Sequence, residues 1–143
     1  MSYNVGVDLL HLRELDRLMR KKWFIRNIYH IEELNICADF HTDRKHEFLA
    51  GRFCAKEAVY KAIGGIYKGK KTKISDILIL RGVNNNPIIK IKHENHLDDV
   101  DISVSISHKG NVCIAVALWN KRDKNEPVHL NSSNQQKSLS LLS

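Results

Sequence analysis

The chain has 143 residues, 43% hydrophobic and 27% charged, which suits one domain with its own core and excludes a fully disordered chain. No apolar run approaches the ~20 residues of a membrane span, and residues 1–10 hold no Lys or Arg and run straight into a strand-like pattern, so the chain reads as cytoplasmic. Lys and Arg total 23 against 16 Asp and Glu, a formal charge of +7, which favours an anionic partner without choosing among phosphate, nucleic acid, an acidic protein and a membrane surface.

Residues 3–9 read as a strand in which Val5, Val7 and Leu9 alternate with Asn4, Gly6 and Asp8. A helix follows, with Leu12, Leu15, Met19 and Trp23 as its buried stripe. On the same helix Arg13, Arg17, Arg20 and Phe24 share a second stripe, at i, i+4, i+7 and i+11. A longer helix spans residues 43–63, capped by Thr42 or Asp43 and ended by Gly64-Gly65. Phe48, Ala55, Val59 and Ala62 form its packing face, while Ala50 and Gly51 let a backbone or a ligand come close. Residues 68–73 form a basic loop. Residues 76–80 and 88–92 are strands separated by the turn residues Asn84-Asn85-Asn86-Pro87. Residues 100–107 alternate apolar with Asp or Ser, the mark of a sheet buried on one face. A hairpin connection at residues 108–111 leads to an apolar strand at 112–119. The pattern stops at residue 120, and residues 125–143, rich in Asn, Ser and Gln, read as a disordered tail. The expected domain therefore covers residues 1–119 and the tail residues 120–143. Its class is α+β, with helices on one face of a largely antiparallel sheet.

The three cysteines, Cys37, Cys54 and Cys113, are odd in number and lack C-x-x-C spacing, so they read as free thiols. His93-Glu94-Asn95-His96 lies among polar residues and reads as a loop or turn before it reads as a zinc site. Ser107 and His108 are sequence neighbours, which point to opposite faces of a strand, and no G-x-S-x-G elbow is present, so a serine hydrolase is not the reading. There is neither a Walker loop nor a G-x-G-x-x-G fingerprint. Asp8 by itself reads as a solvated or capping carboxylate. Glu57 and Lys61 have the spacing of a surface ion pair worth about 0.3–0.5 kcal/mol. The alternative is chemical: Asp8 and Glu57 as two magnesium carboxylates, with Lys61 as a phosphate-binding cation, if strand and helix meet.

The stretch Phe48-Leu49-Ala50-Gly51-Arg52-Phe53-Cys54-Ala55-Lys56-Glu57-Ala58-Val59-Tyr60-Lys61-Ala62 resembles the signature helix of the holo-acyl-carrier-protein synthase family. Val5-Gly6-Val7-Asp8-Leu9 and Ser105-Ile106-Ser107-His108 are similar to its first and third motifs, in the same order. The likeness runs over residues 3–119. It implies the α+β fold of a short 4′-phosphopantetheinyl transferase, which moves the phosphopantetheine arm of coenzyme A onto a serine of an apo acyl carrier protein and releases adenosine 3′,5′-bisphosphate. It implies that Asp8 and Glu57 hold Mg2+ and that Lys61 lies beside the reacting phosphate. Arg52, Gly64, Ser107 and His108 then fall near coenzyme A, and Glu57, directly or through water, is the base. It implies a homotrimer with active sites between subunits, and carrier docking along Arg13, Arg17, Arg20 and Phe24. His11 and Glu14 depart from the residues usual in the family, and Gly64-Gly65-Ile66-Tyr67 replaces its Gly-Thr-Gly turn. The competing reading is a basic nucleic-acid-binding domain built on residues 68–73, but no aromatic platform accompanies that loop.

Overall fold

The computed structural model describes residues 2–121. Strand β1 (Ser2–His11) leads into three short helices, α1 (Leu12–Met19), α2 (Lys22–Ile28) and α3 (Ile31–Ile36), and then the long α4 (Thr42–Ile63). Strands β2 (Ile66–Tyr67), β3 (Lys70–Lys71), β4 (Ile77–Arg81), β5 (Pro87–His93), β6 (His96–Asp99), β7 (Ile102–Lys109) and β8 (Val112–Lys121) follow. They form three antiparallel sheets, ordered β1-β8-β7, β2-β3 and β4-β5-β6. The class is α+β, as expected, with the single sheet divided. Among the described residues no helix is long and apolar enough to cross a membrane.

The α4 helix lies across the β1-β8-β7 sheet, and small residues set how closely. A Cβ on Gly6 would sit 1.8 Å from the Ala58 carbonyl oxygen and 2.7 Å from the Ala62 nitrogen, so β1 rests directly on the helix backbone. At the other edge, a Cβ on Gly51 would meet Ile106 of β7 at 3.3 Å. Ala115 and Ala117 of β8 lie fully buried in between. Gly6→Ala is therefore expected to lower stability by about 1–3 kcal/mol or more, because backbone and not a side chain must move. A urea midpoint within error of wild type would refute this contact.

Gly6, Asp8 and Leu10 form the inward side of β1, and Val5, Val7 and Leu9 are 60%, 46% and 65% exposed. This inverts the usual meaning of the alternation. Across the outer face, Ser103, Leu118 and Val5 lie in one row, Ser105, Val116 and Val7 in the next, then Ser107, Ile114 and Leu9. The sheet thus presents an apolar outer face on β1 and β8 and a row of serines on β7.

Several other expectations need correction. The first expected helix is broken: Lys21 and Phe24 donate backbone bonds to Leu18 and Lys21, closing a turn that restarts the helical phase at Lys22. The i+11 relation of Phe24 to Arg13 is lost, and Phe24 is core while Trp23 is exposed. Phe24 packs edge-on to Phe53 and Tyr29 at ring distances of 5.3 and 6.1 Å, so it cannot share the basic stripe. The α3 helix starts from a reciprocal cap between His30 and Glu33, a pairing the unusual cap residue concealed. His41 occupies the N-cap position of α4 without a side-chain capping bond, Thr42 is its first helical residue, and Gly64 ends it at φ 63°. His93 and His96 face each other across the β5–β6 turn. Asn120 and Lys121 pair with Tyr3 and Ser2, so β8 outlasts the expected boundary at residue 119. The expected tail at 125–143 lies outside the described residues. Cys37, Cys54 and Cys113 are free and buried.

Candidate active site

Two polar sites flank the β1-β8-β7 sheet. At the β1 edge, the last turns of α4 pass beneath Asp8. Lys61 Nζ donates to Asp8 Oδ1 at 3.0 Å and to the Val7 carbonyl at 2.9 Å. The Cys54 thiol, two turns earlier on the same helix, donates to the Asp8 carbonyl at 3.2 Å. Strand and helix therefore meet where the functional reading of Asp8, Glu57 and Lys61 required. Burial, then the Asp8 charge, push the Glu57 carboxyl up from the usual glutamate range, against a smaller opposing pull from Lys61. Asp8 pairs with Lys61, and Glu57 adds a second carboxylate within electrostatic reach of both, which leaves a net negative site of hard oxygen donors. That suits a divalent cation of the magnesium type, which takes one or two carboxylates and keeps other positions for water and phosphate. Among the described residues no group of three or more His, Cys, Asp or Glu can hold a metal, so no all-protein zinc cage exists, at His93 and His96 or elsewhere. Gly64 lies one turn beyond Lys61, exposed at the helix end.

At the β7 edge lies a cleft of about 360 Å³, lined by Arg44, Phe48, Gly51, Arg52, Arg81, Asn85, Pro87, Ser105 and His108 among others. Glu47 also lines it, but among the described residues Arg44, Arg52 and Arg81 form no close ion pair with a carboxylate and lie instead against aromatic rings. The Arg52 guanidinium stands 4.1 Å from the Phe48 ring centre, and Arg81 lies 5.6 Å from both Phe40 and Phe48. Burial, then the neighbouring Arg81, lower the Arg52 pKa to about 10, and its buried Nε has no hydrogen-bond partner. An anion in this cleft would relieve both penalties.

Arg52 and His108 thus come together, but at the edge opposite Asp8, Glu57 and Lys61. Ser107 shares the outer sheet face with Ser105, and of the two Ser105 is the one that lines the cleft. Arg13, Arg17 and Arg20 are exposed on and just after α1. Sequence reasoning missed Arg44, Arg81 and Asn85. Arg44 falls two turns before Arg52 on α4, a spacing that was available as a signal, whereas Arg81 and Asn85 arrive through the β4–β5 turn and carried none. The basic loop at 68–73 is a hairpin whose Lys68 and Lys70 pair with Asp98 and Glu94, which removes much of the charge that favoured nucleic acid.

The description "4'-phosphopantetheinyl transferase superfamily" belongs to a family profile that matches residues 4–117. The chain is similar to the holo-[acyl-carrier-protein] synthase of Geobacillus sp. (strain WCH70), 42% identical over 120 residues, covering 82% of this chain and 96% of the relative. The same enzyme from Ligilactobacillus salivarius is 37% identical over 125 residues, covering 85% of this chain and 89% of the relative. Among solved structures, the Chronobacterium ammoniagenes ACPS–CoA complex aligns with a TM-score of 0.70 at 25% identity, over 86% of this chain and all of that one. The Bacillus anthracis holo-(acyl-carrier-protein) synthase in complex with CoA (3',5'-ADP) aligns with a TM-score of 0.65 at 29% identity, over 80% of this chain and 93% of that one. With the profile spanning nearly all of the described residues and curated relatives well above 30% identity along most of their length, the chain belongs to the 4′-phosphopantetheinyl transferase superfamily.

Proposed function

We propose that the protein is a holo-acyl-carrier-protein synthase, transferring 4′-phosphopantetheine from coenzyme A to a serine of an apo acyl carrier protein and releasing adenosine 3′,5′-bisphosphate. The observation that carries this reading is the meeting of Asp8, Glu57 and Lys61 where α4 crosses β1. Asp8 and Glu57 hold magnesium, which when bound offsets the negative charge of the pyrophosphate. Lys61, oriented by the Val7 carbonyl, neutralises charge on the transferred phosphoryl group. Glu57, directly or through water, takes the proton of the serine hydroxyl. The serine oxygen bonds to the β-phosphorus as the bond from that phosphorus to the bisphosphate oxygen breaks. Arg52 and His108, with Arg44 and Arg81, bind phosphate of the coenzyme in the β7-edge cleft.

Because the cleft and the carboxylates sit at opposite edges of one sheet, one coenzyme reaches both if a second copy brings its β7 edge beside the first copy's β1. The exposed apolar rows of β1 and β8 support such packing, and we assign a homotrimer with composite sites. Sedimentation is expected to give three times the chain mass; an active monomer at assay concentration would overturn the assignment. Arg13, Arg17 and Arg20 dock the acidic carrier, so Arg17→Glu and Arg20→Glu raise its KM, increasingly at low salt. Unchanged carrier kinetics in both variants at low salt would place docking elsewhere. The function itself is tested by mixing the protein with apo carrier, coenzyme A and magnesium and reading phosphopantetheine on the carrier by intact mass. An unmodified carrier would refute it.

A further inference from the structure

Cys54 of α4 and Cys113 of β8 meet beside the Asp8 backbone. Both are free and fully buried. The Cys54 thiol donates to the Asp8 carbonyl at 3.2 Å and reaches the Cys113 carbonyl at 3.6 Å. The two thiol groups also stand within hydrogen-bonding reach of each other. Cys113 belongs to the inward row of β8, with Ala115 and Ala117. Ala115 is the register partner of Asp8, and Cys113 that of Leu10.

Small residues bring the two sulfurs together. Ala55 and Ala58 of α4 are fully buried, as are Ala115 and Ala117 of β8, and Gly6 rests on the Ala58 backbone. A disulfide requires side chains that face each other and Cα atoms within about 7 Å, which an interface of small residues favours. The third thiol is placed differently. Cys37 donates to the Glu33 and Leu34 carbonyls of α3, the helix it ends.

We propose that Cys54 and Cys113 are an oxidisable dithiol that switches off the Asp8–Glu57–Lys61 site when it closes to a disulfide. This rests on the transfer function proposed above and adds its regulation. Burial excludes a bulky oxidant and leaves a small peroxide as the oxidant class. One sulfur gives up its proton and attacks a peroxide oxygen; the O–O bond breaks, leaving a sulfenic acid and one water. The other sulfur attacks the first, the S–O bond breaks, and a second water leaves. Two thiols thus lose two electrons and two protons, and one peroxide becomes two waters. An S–S bond of about 2.05 Å is shorter than any contact between two thiols, so α4 and β8 shift as it forms. The link also ends the Cys54 donation to the Asp8 carbonyl and lies three residues before Glu57 on α4. The two carboxylates then lose their relative placement.

The test exposes folded wild type and Cys113→Ala to hydrogen peroxide. Remaining thiols are blocked with N-ethylmaleimide in denaturant, intact mass and peptide maps are read, and transfer is assayed before and after dithiothreitol. Treated wild type is expected to keep only the Cys37 thiol and to yield a linked Cys54–Cys113 peptide. Its transfer is expected to fall about tenfold or more, the usual cost of disturbing a group that supports a metal ligand, and to return with the reductant. Cys113→Ala is expected to start near the wild-type rate and to show no reversible loss. Three blocked thiols after peroxide, or a link that includes Cys37, would overturn the dithiol. A Cys54–Cys113 link that leaves transfer unchanged overturns the switch and leaves the function standing. A reversible loss of the same size in Cys113→Ala assigns the effect to another group and overturns the switch. A wild type that transfers nothing before oxidation overturns the function, and the switch with it.

Discussion

Glu57→Gln is expected to lower the transfer rate roughly 100- to 1,000-fold, the usual cost of removing one group that stabilises charge in a transition state. Glutamine keeps the size and the hydrogen-bonding reach of the side chain but loses the negative charge and the basicity that the proposed metal-binding and proton-accepting roles require. Asp8→Ala is expected to fall in the same range by a different route, since it removes one carboxylate and frees Lys61 from its 3.0 Å partner. Neither change touches core volume. The Lys61 and Asp8 side chains are 52% and 17% exposed, so the pair contributes about 0–1 kcal/mol to folding. Activity and stability should therefore separate, with urea midpoints near wild type and turnover nearly gone. Raising magnesium distinguishes the two roles of Glu57. If the carboxylate acts chiefly as a ligand, excess metal recovers part of the rate; if it acts as the base, the rate stays low. Near-normal turnover of either variant at limiting magnesium would remove these residues from the site.

Much of this site was legible because its residues lie on one helix and one strand. Glu57 and Lys61 are one turn apart on α4, so local periodicity was enough to pair them, while their link to Asp8 on β1 rested on the condition that strand and helix meet and on the resemblance of all three motifs to one family. The alternation of β1 was legible too, but its sense was not. Val5, Val7 and Leu9 read as the core side because an isolated apolar row normally faces inward, and nothing in one strand says that a backbone-tight helix needs glycine and alanine there instead. In the proposed homotrimer a second copy would cover that row. The α1–α2 break was illegible for a related reason. Residues 12–24 keep an unbroken helical pattern, and the turn at Arg20–Lys21 contains neither glycine nor proline. Phe24 instead fills an aromatic site between Tyr29 and Phe53, and Phe53 comes from α4, distant in sequence. The arginine cleft depends in the same way on β4 and the following turn approaching the start of α4, a long-range event to which no spacing points.

The largest expected effect on stability lies behind the site, at a pair that the sequence does not connect. Lys56 and Glu33 are both fully buried, and Lys56 Nζ lies 2.8 Å from Glu33 Oε2. The pair is also hydrogen-bonded on both sides. Lys56 donates to the Ile77 carbonyl, Glu33 Oε1 accepts from the Ile79 N–H at 2.9 Å, and Glu33 Oε2 accepts from the His30 N–H at 2.8 Å. Burial draws the Lys56 pKa down, and Glu33 opposes that shift. One ion pair thus joins the start of α3, the middle of α4 and β4. Lys56→Met is expected to cost about 3–5 kcal/mol, because it leaves a buried carboxylate without its counter-ion. The double variant Lys56→Met with Glu33→Gln is expected to be more stable than Lys56→Met alone, since the amide oxygen still accepts a backbone N–H and no charge remains buried. A double-mutant cycle on urea midpoints measures this coupling, and strictly additive single effects would show that the two charges do not act as a pair. Lys56 and Glu57 are adjacent, so α4 turns one charged residue toward α3 and β4 and the next toward Asp8. Glu57 keeps its place at a partly exposed edge because its neighbour Lys56 fixes the rotation of the helix from the interior.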